Sequence, residues 1–278
     1  MRYGNLSGLF AGKEPMRKKA FTLIELLVVI AIIAILMAIL MPALRLAKDQ
    51  AYGVICVSNL RNLTRAWYLY QDDNDSKLVN GHTPSGNFTK GIHGIEPPQD
   101  VAGNPTTPGG NPTREDEWRG IERGLLFPYA KDLDVYRCPA DRRRRGGPGR
   151  EALWRSYSIA GGMNGEDGDQ SVKKYTDIKN PANWYVFAEE CDAREWNRGS
   201  WIMKITGNSW TDPLAVWHNK RSCLGWADTR ADKHRWVDKS TMEIAARAAD
   251  GVSISKVVPA GEGKDLKFMQ DHYIQKDR

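Results

Sequence analysis

Lys18-Lys19-Ala20-Phe21-Thr22-Leu23-Ile24-Glu25-Leu26-Leu27 opens a run, Phe21 to Leu44, in which Glu25 is the only charged residue. As a helix rising about 1.5 Å per residue, that run reaches about 36 Å, enough to cross a bilayer core of about 30 Å. A carboxylate near its start costs up to about 3 kcal/mol at depth and less near the interface, which marks Glu25 as a functional candidate. Pro42 lacks an N–H and clashes with the preceding turn, so the helix is predicted to kink or melt locally there. A secretory signal peptide has a shorter apolar core, about 7–15 residues, followed by a small-x-small cleavage site. This run is longer, and no Ala-x-Ala follows it.

Basic residues, a small residue, Phe-Thr-Leu-Ile-Glu, an uncharged run and then Pro42 are similar to the N-terminus of type IV prepilins and type II secretion pseudopilins. The resemblance implies that a prepilin peptidase cuts between Ala20 and Phe21, that Phe21 becomes N-methylated, and that Glu25 stands at the fifth mature position and Pro42 at the twenty-second. Ala20 replaces the usual Gly. In that family the glutamate meets the terminal amine of a neighbouring subunit, which sets register during assembly. The implied protein is a single-pass inner-membrane subunit with its N-terminus cytoplasmic and its C-terminal domain periplasmic. It would be extracted into a periplasmic pseudopilus for type II secretion, or into a type IV pilus-like machine. The implied partners are the prepilin peptidase, other pseudopilin subunits, an inner-membrane secretion or pilus platform, and membrane lipid.

Residues 1–20 read as a removed cytoplasmic leader. Arg2, Lys13, Arg17, Lys18 and Lys19 against Glu14 give it +4 of the chain's +6, so the basic balance serves the positive-inside rule rather than nucleic-acid binding. Met16 is the expected initiator, giving the short leader Met-Arg-Lys-Lys-Ala.

Residues 21–44 are the transmembrane half of a spine helix and residues 45–70 its soluble half. Leu44, Ala47, Ala51, Val54, Val57, Leu60, Leu63, Trp67 and Tyr70 recur every three or four positions and mark one apolar face. Ala31, Ala34 and Ala38 form a small-residue track suited to neighbouring spines, although ordinary membrane-helix composition also yields one. Residues 71–278 form the expected periplasmic globular domain. Within it, Gly81 to Arg119 reads as a long exposed loop and Arg142 to Arg145 as a basic surface loop. Candidate strands are Ser156–Ala160, Trp184–Ala188, Trp201–Ile205, Leu214–His218 and Leu224–Asp228. Thr241 to Ala249 is a candidate helix, and the tail from Gly261 is polar enough to be loosely held. The fold class is α+β and pilin-like: one long N-terminal helix packed on an antiparallel sheet with long loops.

A second resemblance covers about Cys56 to Asp228. Cys56-Val57-Ser58-Asn59-Leu60, Arg137-Cys138-Pro139-Ala140-Asp141, Ser156-Tyr157-Ser158 and the spacing His218-x9-Asp228 are similar to pseudopilin-like proteins bearing a His-x9-Asp-Gly element. Thr229 stands where that element has Gly, so its turn must avoid positive φ or bear strain. The expected role of His218 and Asp228 is a hydrogen-bonded pair bracing two strands; metal binding, assembly contact and acid–base chemistry are the alternatives.

Four cysteines lie beyond the apolar run and have no Cys-x-x-Cys spacing, so zinc is not expected. The chosen pairing is Cys56 with Cys138, and free buried thiols are the alternative. No cofactor is expected. Calcium is the one candidate, at Asp72, Asp73, Asn74 and Asp75 or at Glu166, Asp167 and Asp169, without EF-hand spacing. The chain therefore reads as a structural subunit and not an enzyme. The competing readings are a DNA-binding minor pilin using Arg142 to Arg145, opposed by the low mature charge, and a membrane-anchored periplasmic enzyme.

Overall fold

The computed structural model describes residues 22–84, 89–106, 112–143, 153–191, 197–252 and 256–276. Ala20, Phe21, Arg144 and Arg145 lie outside them. The chain divides into two compact units, Met1–Leu46 and Ala47–Arg278, and one helix, α1 (Leu23–Asp73), contributes to both.

In the first unit every large apolar side chain from Leu23 to Leu46 is at least 45% exposed. A helix apolar on all sides and unburied by protein needs another apolar phase, and α1 is long and apolar enough to cross a membrane. Contrary to the local melting predicted at Pro42, α1 is helical throughout. Proline removes one donor, and the hydrogen bonds on either side hold the helix.

The second unit begins within α1 and continues with α2 (Arg114–Arg123) and α3 (Phe127–Ala130). Strands β1 (Tyr157–Ile159), β2 (Tyr185–Glu189), β3 (Arg221–Trp226) and β4 (Ala231–Arg235) follow, then α4 (Lys239–Ala249) and α5 (Lys264–Asp271). The strands form one antiparallel sheet in chain order. Ser158 faces Ala188, Ala188 faces Leu224, and Leu224 faces Asp232.

Gly53, Cys56, Leu60, Leu63, Thr64, Trp67 and Gln71 form the buried face of α1, again every three or four residues. The predicted stripe is right at Leu60, Leu63 and Trp67, whereas Ala51 and Val54 are exposed. The seam turns toward Gly53 and Cys56 because the sheet comes close. A Cβ on Gly225 of β3 would stand 2.6 Å from Thr64 Cγ2, so only glycine fits under the helix there.

Several predicted loops and strands differ. Trp201–Ile205 and Leu214–His218 are not strands: each supplies one residue to an isolated bridge, Trp201 to Ala160 and Leu214 to Glu190. Both segments bury apolar side chains without a partner strand. The stretch from Gly81 is no exposed loop, since Thr83, His93, Ile95, Glu96 and Gln99 are buried and α2 starts inside it, capped by Thr113 and Asp116. The tail is held by α5 and the residues after it: Leu266 and Met269 on the helix and Tyr273 and Ile274 beyond it are buried, and Tyr185 Oη donates to Met269 O at 3.3 Å. Five of the described tryptophans, Trp67, Trp201, Trp210, Trp226 and Trp236, are buried in the core, and Trp154, Trp184 and Trp217 pack half-buried against it.

Candidate functional site

At the head of α1, Thr22 is the residue before the first helical turn and Glu25 the third residue within it. Glu25 Oε2 accepts hydrogen bonds from Thr22 N–H at 2.8 Å and from Thr22 Oγ1 at 2.7 Å, while Thr22 Oγ1 accepts from Glu25 N–H at 3.2 Å. This reciprocal capping box satisfies two of the helix's orphan donors. It also places the carboxylate at the positive end of the helix dipole. The run Thr-Leu-Ile-Glu thus fixes where the helix begins. Glu25 Oε1 has no hydrogen-bond partner among the described residues.

Within the second unit, α1 meets the segment after the 3-10 turn Asp134–Tyr136 at two motif positions. Asn59 Nδ2 donates to Asp134 O at 3.1 Å and to Arg137 O at 2.9 Å. One turn earlier on the same face, Cys56 Sγ lies 2.6 Å from Cys138 Sγ. The Cys-x-x-Asn and Arg-Cys-Pro-x-Asp motifs are therefore two halves of one contact. Cys138 N–H donates to Ser156 Oγ at 3.0 Å, Ser156 Oγ donates to Asp141 Oδ2 at 2.7 Å, and Asp141 pairs with Arg143 at 2.8 Å.

Arg143 is accordingly buried rather than part of an exposed basic loop. It donates to Asn197 Oδ1 at 2.6 Å and lies over the Trp217 ring. Burial opposes its charge, but Asp141 more than compensates and holds the guanidinium charged. A buried, paired arginine offers nothing to a phosphate backbone, which removes this residue from the DNA-binding reading.

His218 is also placed here, and not beside Asp228. Its Nε2 lies 3.1 Å from Glu189 Oε1, at the end of β2, and 3.3 Å from Cys138 Sγ. Glu189 Oε2 accepts from Cys223 N–H at 2.8 Å. The donor atoms of Cys56, Cys138, Glu189 and His218 all lie within 4.8 Å of one another, and all four residues are buried. Burial lifts the Glu189 carboxyl to about 7, although His218 draws it back. For His218 burial favours the neutral ring, but hydrogen bonds to Cys56 and Glu189 and their charges raise it to about 10. The arrangement suits a buried charged pair beside two sulfurs. Sequence reasoning missed Glu189 as its partner; the acidic pair Glu189-Glu190 at the end of a strand was the available signal.

Asp228 instead sits in the β3–β4 hairpin, where it pairs with Arg230 at 3.1 Å. The turn takes the strained option, since Thr229 has φ +72°. Two of the residues considered for calcium have protein partners: Asp73 accepts from Tyr129 Oη at 3.0 Å, and Glu166 Oε2 accepts from Ser200 N–H at 2.7 Å.

Residues 15–41 match the family described as "Prokaryotic N-terminal methylation motif". The chain is 47% identical over 62 residues to the type IV wide pilus major component PilA4 of Thermus thermophilus. That match covers 22% of this chain and 47% of the relative, so the chain spans about half the length of the curated protein it matches. No solved structure matches the chain. With the motif match, the capped apolar helix and the α+β fold together, the chain carries a prepilin-type N-terminus and is similar to type IV pilins.

Proposed function

We propose that the chain is a structural filament subunit, cut between Ala20 and Phe21 by a prepilin peptidase, N-methylated on Phe21 and assembled with other pilin-like subunits. Before assembly α1 anchors it in the inner membrane, with the N-terminus cytoplasmic and the second unit periplasmic. We read the machine as a pseudopilus of type II secretion or a related pilus. The observation that carries this reading is the apolar run of α1 that no other part of the described protein buries, whose only charged residue is capped by Thr22 while one carboxylate oxygen stays open. A neighbouring subunit's new α-amine is the cation that such an oxygen takes in an apolar filament core. The site closed to solvent in the second unit favours a structural over an enzymatic role, because no substrate reaches His218.

Two measurements test this. Co-expression with a prepilin peptidase should give material whose first residue is N-methylated Phe21 by intact-mass and terminal-peptide analysis; an N-terminus upstream of Ala20 sinks the proposal. Glu25→Gln keeps a side chain able to complete the capping box but removes the charge. Its expected outcome is cleaved, membrane-inserted protein with filament assembly reduced at least tenfold. Normal filaments from that variant would show that Glu25 serves only as a cap.

A further inference from the structure

Cys56 and Cys138 lie 82 positions apart in sequence, yet their sulfurs are in contact at 2.6 Å and both residues are fully buried. The structure carries both as thiols, and three arrangements bring such a pair together: two thiols packed side by side, a shared ion or a covalent bond. A contact of 2.6 Å is closer than unbonded sulfurs pack. The surrounding His218 and Glu189 supply the other donors of a zinc-type set, so the ion has to be weighed first. With Zn–S of about 2.3 Å, a tetrahedral site holds its two sulfurs roughly 3.7 Å apart. At 2.6 Å no ion fits between them.

We propose that Cys56 and Cys138 form a disulfide latch that fastens α1 to the segment following Tyr136, with Cys223 remaining a thiol. The latch rests on the reading that the second unit is periplasmic, where disulfides persist. The bond forms by thiol–disulfide exchange with a disulfide-bearing oxidant. One cysteine thiolate attacks a sulfur of the oxidant and expels one of its thiols. The second cysteine thiolate then attacks the mixed disulfide and expels the other. Two protein thiols are oxidised to one S–S bond, and the oxidant leaves reduced to two thiols carrying the two protons. Both sulfurs are closed to solvent in the finished unit, so the oxidant has to act before the unit closes.

The surroundings fit that chemistry. Asn59, one turn along α1, already grips Asp134 O and Arg137 O, which presents Cys138 to Cys56. His218 Nε2 lies 3.3 Å from Cys138 Sγ and 3.1 Å from Glu189 Oε1, so one ring nitrogen faces both the sulfur and the carboxylate. In the reduced form burial raises the Cys56 thiol, but hydrogen bonds with Cys138, Cys223 and His218 and the charge of His218 outweigh it and draw the thiol well below its usual range. A covalent tie at this point also has mechanical sense. A filament subunit is loaded along its helix, and the latch stops that helix being drawn out of the domain that surrounds it.

The test is peptide mapping of the full-length protein, trapped with N-ethylmaleimide under denaturing, non-reducing conditions, with zinc measured by elemental analysis of the untreated protein. The expected result is a Cys56–Cys138 linked peptide that vanishes on reduction, an alkylated Cys223, and no stoichiometric zinc. Cys223→Ser should leave the linked peptide unchanged. Alkylation of both Cys56 and Cys138, a Cys56–Cys223 link, or one zinc per chain would overturn the latch. Protease accessibility of the second unit in spheroplasts reads the compartment separately. Alkylated cysteines in a protease-accessible unit sink the latch alone, whereas a protected unit sinks the membrane orientation and the latch with it.

Discussion

Thr229 occupies the left-handed region at φ +72°, in the turn where Trp226 O accepts from Thr229 N–H at 3.0 Å and Arg230 O accepts from Trp226 N–H at 2.9 Å. A β-branched residue in that conformation costs roughly 1–2 kcal/mol, part of which a glycine recovers before its greater unfolded-state entropy is counted. Thr64 Oγ1 donates to Thr229 O at 3.0 Å, a contact to backbone that the substitution leaves intact. Thr229→Gly should therefore stabilise the protein by about 0.5–1 kcal/mol and raise its melting temperature by roughly 1–4 °C, read by thermal denaturation. An unchanged or lower melting temperature would mean that the threonine side chain contributes packing that offsets the strain. The sequence states this conflict openly, since a nine-residue spacing from His218 to Asp228 is followed by Thr where the resembling proteins have Gly. It does not state the partner of His218. Glu189 arrives from β2, 29 residues away, and only the antiparallel pairing of β2 with β3 brings the two together.

At the scale of elements, the parts with strong periodicity were legible and the parts held by context were not. α1 announces itself through an uncharged run followed by an apolar stripe, and Leu60, Leu63 and Trp67 are read correctly. The stripe fails at Ala51 and Val54 because the true seam passes through Gly53 and Cys56, residues that a hydrophobicity pattern undercounts. β4 was missed because Ala231-Asp232-Lys233-His234-Arg235 buries only its first residue, the signature of a polar edge strand that gives no apolar alternation. Trp201–Ile205 and Leu214–His218 carry strand-like composition, yet burial against the core rather than a ladder satisfies them. The seam itself is testable. Gly225→Ala places a methyl 2.6 Å from Thr64 Cγ2 and 3.4 Å from Phe187 Cβ, so α1 must lift from β3. The expected cost is about 1–3 kcal/mol by denaturant unfolding. Thr64→Ser removes the clashing methyl and keeps the hydroxyl, so the double variant should recover most of that loss. Additive effects of the two substitutions would deny the close contact.

For the second unit taken whole, the buried pair of Glu189 and His218 sets an unusual dependence of stability on pH. Cys56, Cys138, Cys223, Tyr157 and Lys233 are the other titratable groups around it. Burial raises Glu189 from an ordinary 4.5 to about 7, and hydrogen bonds with Cys56 and Glu189 raise His218 from 6.5 to about 10 against burial. In both cases the folded chain holds the proton more tightly than the unfolded one, so the stabilisation is present at low pH and lost as pH rises. The Glu189 share fades between about 4.5 and about 7, and the His218 share between 6.5 and about 10. Carboxylates with the opposite sign, such as Asp116 and Glu166, are lowered in the fold and lose their contribution only on further acidification. Between pH 5 and 10 the melting temperature should therefore fall steadily, by a few degrees or more for each pH interval that removes about 1 kcal/mol. His218→Gln should remove the His218 share above pH 6.5 and, because His218 holds the Glu189 carboxyl down, carry the Glu189 share to higher pH than in the parent protein. A bond between Cys56 and Cys138 takes away the Cys56 share of the lift on His218 and leaves that of Glu189, so the reduced protein should show the steeper upper limb. A melting temperature that is flat from pH 5 to 10 in both redox states would mean that Glu189 and His218 exchange protons with water as freely in the folded chain as in the unfolded one.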